Sequence, residues 1–140
     1  MKVLFVCTGN TCRSAMAAAI CNHIAKEAGA EICADSCGVA AYPAPASQNA
    51  VLAVNELYGI DLKGHRAKMV NADLVGAADV IFAMTPRHAL ALLSAFPDCA
   101  DKLVVADPEI VDPYMQDLSV YKACAKELCS QIESRFFKEG

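Results

Sequence analysis

A cysteine-containing loop, Cys7-Thr8-Gly9-Asn10-Thr11-Cys12-Arg13-Ser14, lies between an apolar run and a helix-forming run in this chain of 140 residues. The preceding Val3-Leu4-Phe5-Val6 predicts a buried strand, and the segment from Ala15 to Ile20 predicts a helix. Gly9 and Asn10 tolerate the positive φ angles of a tight loop. In a strand–loop–helix unit of this kind, backbone N–H groups converge on one bound anion. The sequence therefore predicts an oxyanion-binding loop at the end of the first strand.

Two side chains of the loop, Cys7 and Arg13, give it a predicted chemistry. The positive end of the helix and the fixed charge of Arg13 favour the thiolate form of Cys7, which is the nucleophilic form. The guanidinium also suits phosphate in a bidentate arrangement. A strand-end cysteine can instead be a small buried apolar residue, but the surrounding loop favours the functional interpretation. We therefore expect Cys7 to attack phosphorus.

Apolar runs alternate with helical patterns along the whole chain. The predicted strands are Val3–Cys7, Ile32–Ser36, Asp79–Met84 and Leu103–Ala106. The predicted helices are Ser14–Ala28, Ser47–Tyr58, Pro86–Ala95 and Leu118–Lys138. Strands separated by helices predict right-handed crossovers and a parallel sheet covered on both faces. Ligands of such sheets bind beyond the carboxyl ends of the strands, which is where Cys7 is expected.

The composition favours a single globular domain and argues against nucleic-acid-binding and membrane proteins. A hydrophobic fraction of 56% with 20% charged residues is typical of one globular domain, here expected over residues 1–140. The net charge of −4 argues against a nucleic-acid partner, so any attraction for phosphate must be local. No apolar run approaches the ~18 residues needed to span a bilayer, and a strand directly after Lys2 leaves no room for a signal peptide. We expect a cytoplasmic protein with no membrane partner.

The eight cysteines do not have the spacing of a metal site. No Cys-x-x-Cys pair is present, and the sequence predicts neither a zinc site nor any other cofactor. Cys21, Cys124 and Cys129 lie in helical patterns and are expected to be inert core thiols. Cys7 and Cys12 differ from these because both belong to the loop.

The loop pattern Cys-x5-Arg-Ser near the N-terminus of a short chain resembles the low-molecular-weight protein tyrosine phosphatase family, including its protein-arginine phosphatase branch. Asp112-Pro113-Tyr114, followed by Tyr121, is similar to the Asp-Pro-aromatic acid loop of that family. His65-Arg66-Ala67-Lys68 is similar to its His-Arg-Ala-basic segment, and Ala78–Thr85 to its third strand. The resemblance spans almost the entire chain. It implies a single-domain α/β three-layer sandwich with a four-stranded parallel sheet in flavodoxin-like order.

The resemblance also implies a two-step hydrolysis without a metal. Cys7 attacks the phosphoryl group to form phosphocysteine, Arg13 stabilises the charge, and Asp112 serves as general acid and then as general base. Asp107-Pro108 is a competing Asp-Pro pair, but only Asp112 is followed by an aromatic residue, so Asp107 is interpreted as part of a strand-exit turn. The chain departs from many relatives at Met115-Gln116, where glycines are common, and at Ala15, where proline is common.

Further roles are implied by the resemblance. The residues expected around the phosphate are Thr8, Gly9, Asn10, Thr11, Cys12 and Ser14, with Tyr42 and Tyr114 as walls of the pocket mouth. Asn10 is expected to hold a left-handed turn, and Ser14 to support the thiolate. Ser36 is expected to buttress Asn10, and His65 to hydrogen-bond Ser36. Ordinary alternatives are a helix cap for Ser14, a turn for Ser36, and loop residues without function for His65 and Tyr42.

Three classes of function fit a loop of this kind. The first is a protein phosphatase acting on phosphorylated protein substrates. The second is a thioredoxin-coupled arsenate reductase, which shares the fold but relays a disulfide through two further cysteines. Between Asp79 and Pro97 there is no cysteine, and Cys99 alone cannot form that relay. The third is a non-catalytic phosphate-binding module, which would be expected to lose Cys7, Arg13 or Asp112.

The residue at position 11 of the loop bears on which phosphorylated side chain is the substrate, and Thr11 leaves two candidates. Phosphotyrosine-directed relatives commonly carry a bulky aliphatic residue at this position, whereas relatives that hydrolyse protein phosphoarginine carry threonine in an identical Cys-Thr-Gly-Asn-Thr-Cys-Arg run. Tyr42 and Tyr114 offer the two rings that could enclose a phenyl ring. The sequence therefore predicts a phosphatase for phosphotyrosine in proteins, with phosphoarginine as the alternative and arsenate reduction as a less favoured one.

Overall fold

A parallel sheet forms the centre of the computed structural model, which describes residues 1–138. Its strands are β1 (Lys2–Cys7), β2 (Cys33–Gly38), β3 (Val80–Ala83) and β4 (Leu103–Val105). Their order is β2-β1-β3-β4, with every pair parallel. The predicted four-stranded parallel sheet and its flavodoxin-like order are confirmed. The central position of β1 brings the loop after it between the carboxyl ends of its two neighbours.

Within the described residues, five α-helices connect or flank the strands: α1 (Arg13–Ala28), α2 (Gln48–Tyr58), α3 (Ala72–Ala77), α4 (Pro86–Ala95) and α5 (Leu118–Ile132). The sequence did not predict α3 or the 3₁₀ helix Pro97–Lys102. Six residues are too few to establish a helical periodicity. The start of α3 is nevertheless fixed by Asn71, whose side chain accepts a hydrogen bond from the N–H of Leu74 at 2.8 Å.

The two faces of the sheet are covered by separate hydrophobic clusters. Alternation along β1 directs Val3 and Phe5 to the face packed by α1 and α5, and Leu4 and Val6 to the opposite face. The second face is packed by α3 and α4, which contribute Val75 and Leu92 among others. The three-layer arrangement is therefore present. No helix within the described part of the chain is long and apolar enough to cross a membrane.

Two predicted boundaries were wrong by more than one residue, and several others were wrong by one. β2 begins at Cys33 and continues to Gly38, two residues past the predicted end, because Cys37 and Gly38 pair with the last residues of β1. The last helix does not stay regular up to Lys138: α5 ends at Ile132 and is followed by a π-helical segment, Glu133–Phe137. Periodicity of apolar residues does not distinguish these helix types. The predicted domain extends to residues 139 and 140, which lie outside the described residues.

Candidate active site

The loop after β1 presents a row of unpaired backbone donors. Within residues 1–138, the N–H groups of residues 8–13 donate to no protein acceptor, although neighbouring loop carbonyls do accept hydrogen bonds. The carbonyl of Thr11, for example, accepts from the N–H of Ser47 at 3.0 Å. Free N–H groups in a tight loop that leads into a helix N-terminus form an anion-binding cradle.

The nucleophile candidate is linked to the loop through two polar side chains. The sulfur of Cys7 lies 2.8 Å from the hydroxyl oxygen of Ser14, and the side-chain amide of Asn10 donates to the same hydroxyl at 2.8 Å. All three side chains are buried. A thiolate can only accept, so in that form of Cys7 the donor is the Ser14 hydroxyl, which also lies 3.3 Å from the carbonyl oxygen of Cys37. The Ser14 hydroxyl therefore links the sulfur to the loop.

Asn10 has the left-handed conformation expected of it, with φ 58. Its side-chain oxygen accepts from the N–H of Lys68 at 3.0 Å, and its carbonyl oxygen lies 2.6 Å from Nε2 of His65. The expected contacts through Ser36 were wrong. Ser36 is buried, but within residues 1–138 its hydroxyl bonds neither Asn10 nor His65. Because the segment carrying His65 and Lys68 lies directly against the loop, it braces Asn10 without an intervening serine.

Gly38, at the end of β2, allows a close approach between backbones. A Cβ atom at this position would overlap the carbonyl oxygen of Thr8 and lie 2.9 Å from the Cβ of Ala41. The same Thr8 carbonyl accepts from the N–H of Ala40 at 3.0 Å. Gly38 is therefore required for the loop to pack against the end of β2.

Arg13 is buried, with 5% of its surface exposed, and its guanidinium is held from two sides. One nitrogen donates to the carbonyl oxygen of Ile110 at 3.0 Å, and the other lies 3.6 Å from a carboxylate oxygen of Asp112. Ile110 is itself fixed by its N–H, which donates to the carbonyl of Met84 at the end of β3, at 2.9 Å. The loop after β4 thus places Arg13 and Asp112 together.

The two Asp-Pro pairs occupy different places. The side chain of Asp112 is 52% exposed and lines the same cavity as Cys7 and Arg13, and its other carboxylate oxygen accepts from the N–H of Tyr114 at 3.1 Å. Asp107 lines neither of the cavities at the loop. Its N–H donates to the side chain of Gln131 on α5 at 3.1 Å. Of the two aspartates, only Asp112 therefore shares a cavity with Cys7 and Arg13.

A cavity of about 320 Å³ opens over the loop. Tyr42 and Tyr114 stand at its rim with 81% and 60% of their surfaces exposed, as expected for walls of a pocket mouth. The structure brings most of the predicted site residues to this cavity: Cys7, Thr8, Gly9, Asn10, Thr11, Cys12, Arg13, Tyr42, Asp112 and Tyr114. Ser14 lies behind Cys7, whereas Ser36 and His65 are outside the cavity lining.

Two neighbours of the loop were not predicted from the sequence. The sulfur of Cys12 lies 3.2 Å from the hydroxyl of Ser47 and 3.4 Å from that of Tyr121, and burial together with the Cys12 contact raises the pKa of Tyr121 to about 12. His88 on α4 contacts the hydroxyl of Thr8 through Nε2 at 2.8 Å. No local motif marks Ser47 or His88, because both reach the loop only through tertiary packing.

Four of the six remaining cysteines are buried: Cys21, Cys37, Cys99 and Cys124. No disulfide is formed among the eight, all of which lie within the described residues. Burial raises the pKa of Cys21 and Cys124 to about 12 and also raises that of Cys99, which is 1% exposed. Cys129 is only half-buried, so its prediction as a core thiol was wrong in part. Within residues 1–138 no group of three or more His, Cys, Asp or Glu side chains could hold a metal ion.

Comparison with known proteins decides the family. A family model for low molecular weight phosphotyrosine protein phosphatases matches residues 2–138. The chain belongs to the low-molecular-weight phosphotyrosine protein phosphatase family. It is 35% identical over 136 residues to a protein-arginine-phosphatase of Bacillus subtilis (strain 168), covering 91% of this chain and 89% of that protein. Members of this phosphatase family are hydrolases, and so is this chain.

Solved structures of the family agree with the fold. The chain is similar to a low molecular weight protein tyrosine phosphatase from T. tengcongensis, with a TM-score of 0.92, 42% identity and 95% of each chain covered. It is also similar to a C7S mutant of YwlE arginine phosphatase that carries a phosphorylated active site serine, with a TM-score of 0.90, 30% identity and 98% of each chain covered. A covalent phosphoryl intermediate on the cysteine of the loop therefore fits this phosphatase family.

Proposed function

We propose that this phosphatase hydrolyses phosphorylated protein side chains through a phosphocysteine on Cys7, with Asp112 as general acid and base. One observation supports this proposal above all: the Cys7 sulfur, the buried Arg13 guanidinium and the Asp112 carboxylate line one cavity. The loop that forms the base of this cavity has free backbone N–H groups. These groups supply a nucleophile, fixed positive charge and a proton-transfer group.

In the first step, the phosphoryl group rests against the loop N–H groups and Arg13. The Cys7 thiolate attacks phosphorus in line, the sulfur–phosphorus bond forms, and the bond from phosphorus to the leaving oxygen or nitrogen breaks. The leaving atom takes a proton from the carboxyl group of Asp112, because an unprotonated leaving group departs poorly. The donors lie where charge develops on the phosphoryl oxygens and stabilise the transition state.

In the second step, a water molecule attacks the phosphocysteine. Asp112, now a carboxylate, accepts a proton from that water, the sulfur–phosphorus bond breaks, and inorganic phosphate leaves. The Ser14 hydroxyl, 2.8 Å from the sulfur, stabilises the thiolate as it departs. The cycle returns Cys7 and Asp112 to their starting forms and consumes one water molecule.

Phosphoarginine is the substrate that we place first, which reverses the order predicted from the sequence. Two relatives that are each 35% identical, over 91% and 94% of this chain, are named protein-arginine-phosphatase. The cavity wall includes Thr11, a small side chain with a hydroxyl that can hydrogen-bond a guanidinium. A bulkier aliphatic side chain would remove that hydrogen bond.

Phosphotyrosine is the second candidate, supported by a different observation. Tyr42 and Tyr114 line the same cavity and expose their rings at its mouth, so a phenyl ring can lie between them with its phosphate at the loop. Relatives named low molecular weight protein-tyrosine-phosphatase Wzb are 28% identical over 87% of this chain.

Turnover of matched peptides tests the substrate class. One peptide sequence carrying either phosphoarginine or phosphotyrosine is assayed with the native protein, Thr11→Ile, Thr11→Val and Thr11→Ser. A lost hydrogen bond of ~1–3 kcal/mol changes kcat/KM about tenfold or more. We expect Thr11→Ile and Thr11→Val to lower kcat/KM for phosphoarginine relative to phosphotyrosine by that factor.

Thr11→Ser is the matched control because it keeps the hydroxyl, and we expect it to retain the native ratio. An unchanged ratio in Thr11→Val would mean that Thr11 does not set the substrate. Release of no phosphate from either peptide by the native protein would reject the proposed function itself. Arsenate in the presence of thioredoxin serves as a third substrate and is expected to give no turnover.

A further inference from the structure

A histidine outside the predicted site contacts the oxyanion loop. His88 lies in the first turn of α4 and is buried, with 5% of its surface exposed. Its Nε2 atom is 2.8 Å from the hydroxyl oxygen of Thr8, and its Nδ1 atom is 3.1 Å from that of Thr85. The imidazole therefore bridges the N-cap of α4 and the residue that follows the nucleophile.

The direction of this bridge depends on the tautomer of the His88 ring. The hydroxyl oxygen of Thr85 caps α4 by accepting from the backbone N–H of His88 at 3.4 Å, and in our assignment its hydrogen points at Nδ1. A neutral imidazole that accepts at Nδ1 carries its hydrogen on Nε2. Nε2–H then donates to the Thr8 hydroxyl. Burial, followed by the charge of Arg13, lowers the pKa of His88 to about 4, which keeps the ring neutral near neutral pH.

The direction of the bridge fixes what the Thr8 hydroxyl can do. When its oxygen accepts from His88, its single hydrogen is left to donate elsewhere. Thr8 lines the cavity that also contains Cys7, Arg13 and Asp112, and it lines the adjacent cavity together with His88. Its backbone is fixed, because its carbonyl oxygen accepts from the N–H of Ala40 at 3.0 Å and Gly38 packs against it.

Resting on the function proposed above, we propose that His88 is a positioning residue that holds the Thr8 hydroxyl as an additional hydrogen-bond donor to the phosphoryl group. Thr8 then contributes its side chain as well as its backbone N–H. The donor joins Arg13 and the loop N–H groups where negative charge develops in the transition state. His88 itself does not touch the substrate.

A double-mutant cycle separates positioning from a purely structural role. The variants are Thr8→Val, His88→Phe and their combination, assayed with para-nitrophenyl phosphate. We expect each single variant to lower kcat about tenfold with a smaller change in KM, as for one hydrogen bond to a charged group. His88→Phe should lower kcat no further once Thr8→Val has removed the hydroxyl. Losses that multiply in the combined variant would overturn the proposal.

Two conservative variants and one spectroscopic measurement test the same inference in case His88→Phe does not fold. Thr8→Ser retains the hydroxyl and is expected to recover most of the kcat that Thr8→Val loses, and His88→Gln retains a side-chain N–H donor and is expected to recover part of the loss caused by His88→Phe. Nitrogen-15 NMR of the histidine rings is expected to show His88 protonated at Nε2. Protonation at Nδ1 would reverse the bridge and reject the inference.

Binding of inorganic vanadate, measured by calorimetry, separates this inference from the proposed function. If the native protein hydrolyses no phosphorylated compound, the proposed function fails, but the affinity for vanadate still reports the donor. We expect Thr8→Val to weaken vanadate binding about tenfold and Thr8→Ser to bind vanadate more tightly than Thr8→Val. Equal affinities of the native protein and Thr8→Val would contradict the proposal.

Discussion

The hydroxyl oxygen of Ser14 lies 2.8 Å from the sulfur of Cys7, and it receives the side-chain amide of Asn10 on its other side. The amide hydrogen occupies one lone pair of the hydroxyl oxygen, so the hydroxyl hydrogen has two acceptors within reach: the sulfur and the carbonyl oxygen of Cys37, at 3.3 Å. A polarised donor of this kind strengthens as charge accumulates on its acceptor. The same contact serves both halves of the proposed cycle, since the thiolate is the attacking group in the first step and the departing group in the second.

Replacing the proposed nucleophile, Cys7, is expected to separate the binding of phosphate from the hydrolysis of substrate. We expect Cys7→Ser to abolish phosphate release, because a serine hydroxyl does not ionise near neutral pH. The loop N–H groups and Arg13 are unchanged, so the variant should still bind inorganic phosphate, as measured by calorimetry. Measurable steady-state turnover by Cys7→Ser would exclude Cys7 as the only nucleophile.

The effect of replacing the proposed general acid, Asp112, on the rate of hydrolysis depends on the leaving group. We expect Asp112→Ala to slow the hydrolysis of poor leaving groups by ~10²–10⁴ and that of good leaving groups much less. The measurement is kcat/KM over a series of aryl phosphates with different leaving-group pKa values. Asp107→Ala is the matched control, since Asp107 lies against α5, and a larger loss in that variant would contradict our assignment.

Oxidation of the loop gives a third prediction. A thiolate at Cys7 is open to peroxide, and Cys12 in the same loop can capture the resulting sulfenic acid as a disulfide, with release of water. We expect peroxide to inactivate the native protein reversibly and the Cys12→Ser variant irreversibly. Activity after treatment with thiols checks this, with Cys33→Ser as a control at an exposed cysteine. Equal recovery of the native protein and Cys12→Ser would rule out the protective disulfide.

Because His88 is buried, we expect the stability of the folded protein to depend on pH. Its pKa is about 4 in the folded protein, because burial and then Arg13 lower it; Arg87 acts in the same direction and Asp112 opposes them. The unfolded chain, with an ordinary histidine pKa near 6.5, binds more protons between these values. The free energy of unfolding is therefore highest above about pH 6.5. It falls as the pH drops toward 4, by an amount on the order of 3 kcal/mol.

Urea unfolding at about pH 5 and at about pH 7 tests this dependence. We expect His88→Gln to lose stability less steeply than the native protein as pH falls, because glutamine does not titrate. Leu90→Gln is the control, since Leu90 is exposed on the same helix and its replacement neither adds nor removes a titratable group. Identical slopes for the native protein and His88→Gln would show that another group causes the dependence.

The features that the sequence predicted correctly are local or periodic. The β1–loop–α1 unit is contiguous, and the left-handed Asn10 follows from the residue types that a tight anion loop accepts. The sheet follows from alternating apolar and helical runs. Asp112 required the family resemblance, because composition and spacing alone do not separate it from Asp107.

Contacts that depend on tertiary packing were not predictable in the same way. His65 was expected to act through Ser36, but it contacts the Asn10 carbonyl directly. His88 lies 80 residues from Thr8 along the chain, and no pattern within α4 indicates that its ring reaches the loop. The helix α3 was missed because one and a half turns carry too little periodicity to detect.

The contact between Arg13 and Ile110 joins residues 97 positions apart. A ribosome therefore makes the proposed nucleophile, Cys7, about a hundred residues before the loop that carries the proposed general acid, Asp112. Until that loop has been made, the growing chain carries Cys7 without the carbonyl that holds Arg13. The proposed set of catalytic groups is thus assembled late in synthesis, after the strands of the sheet are already present.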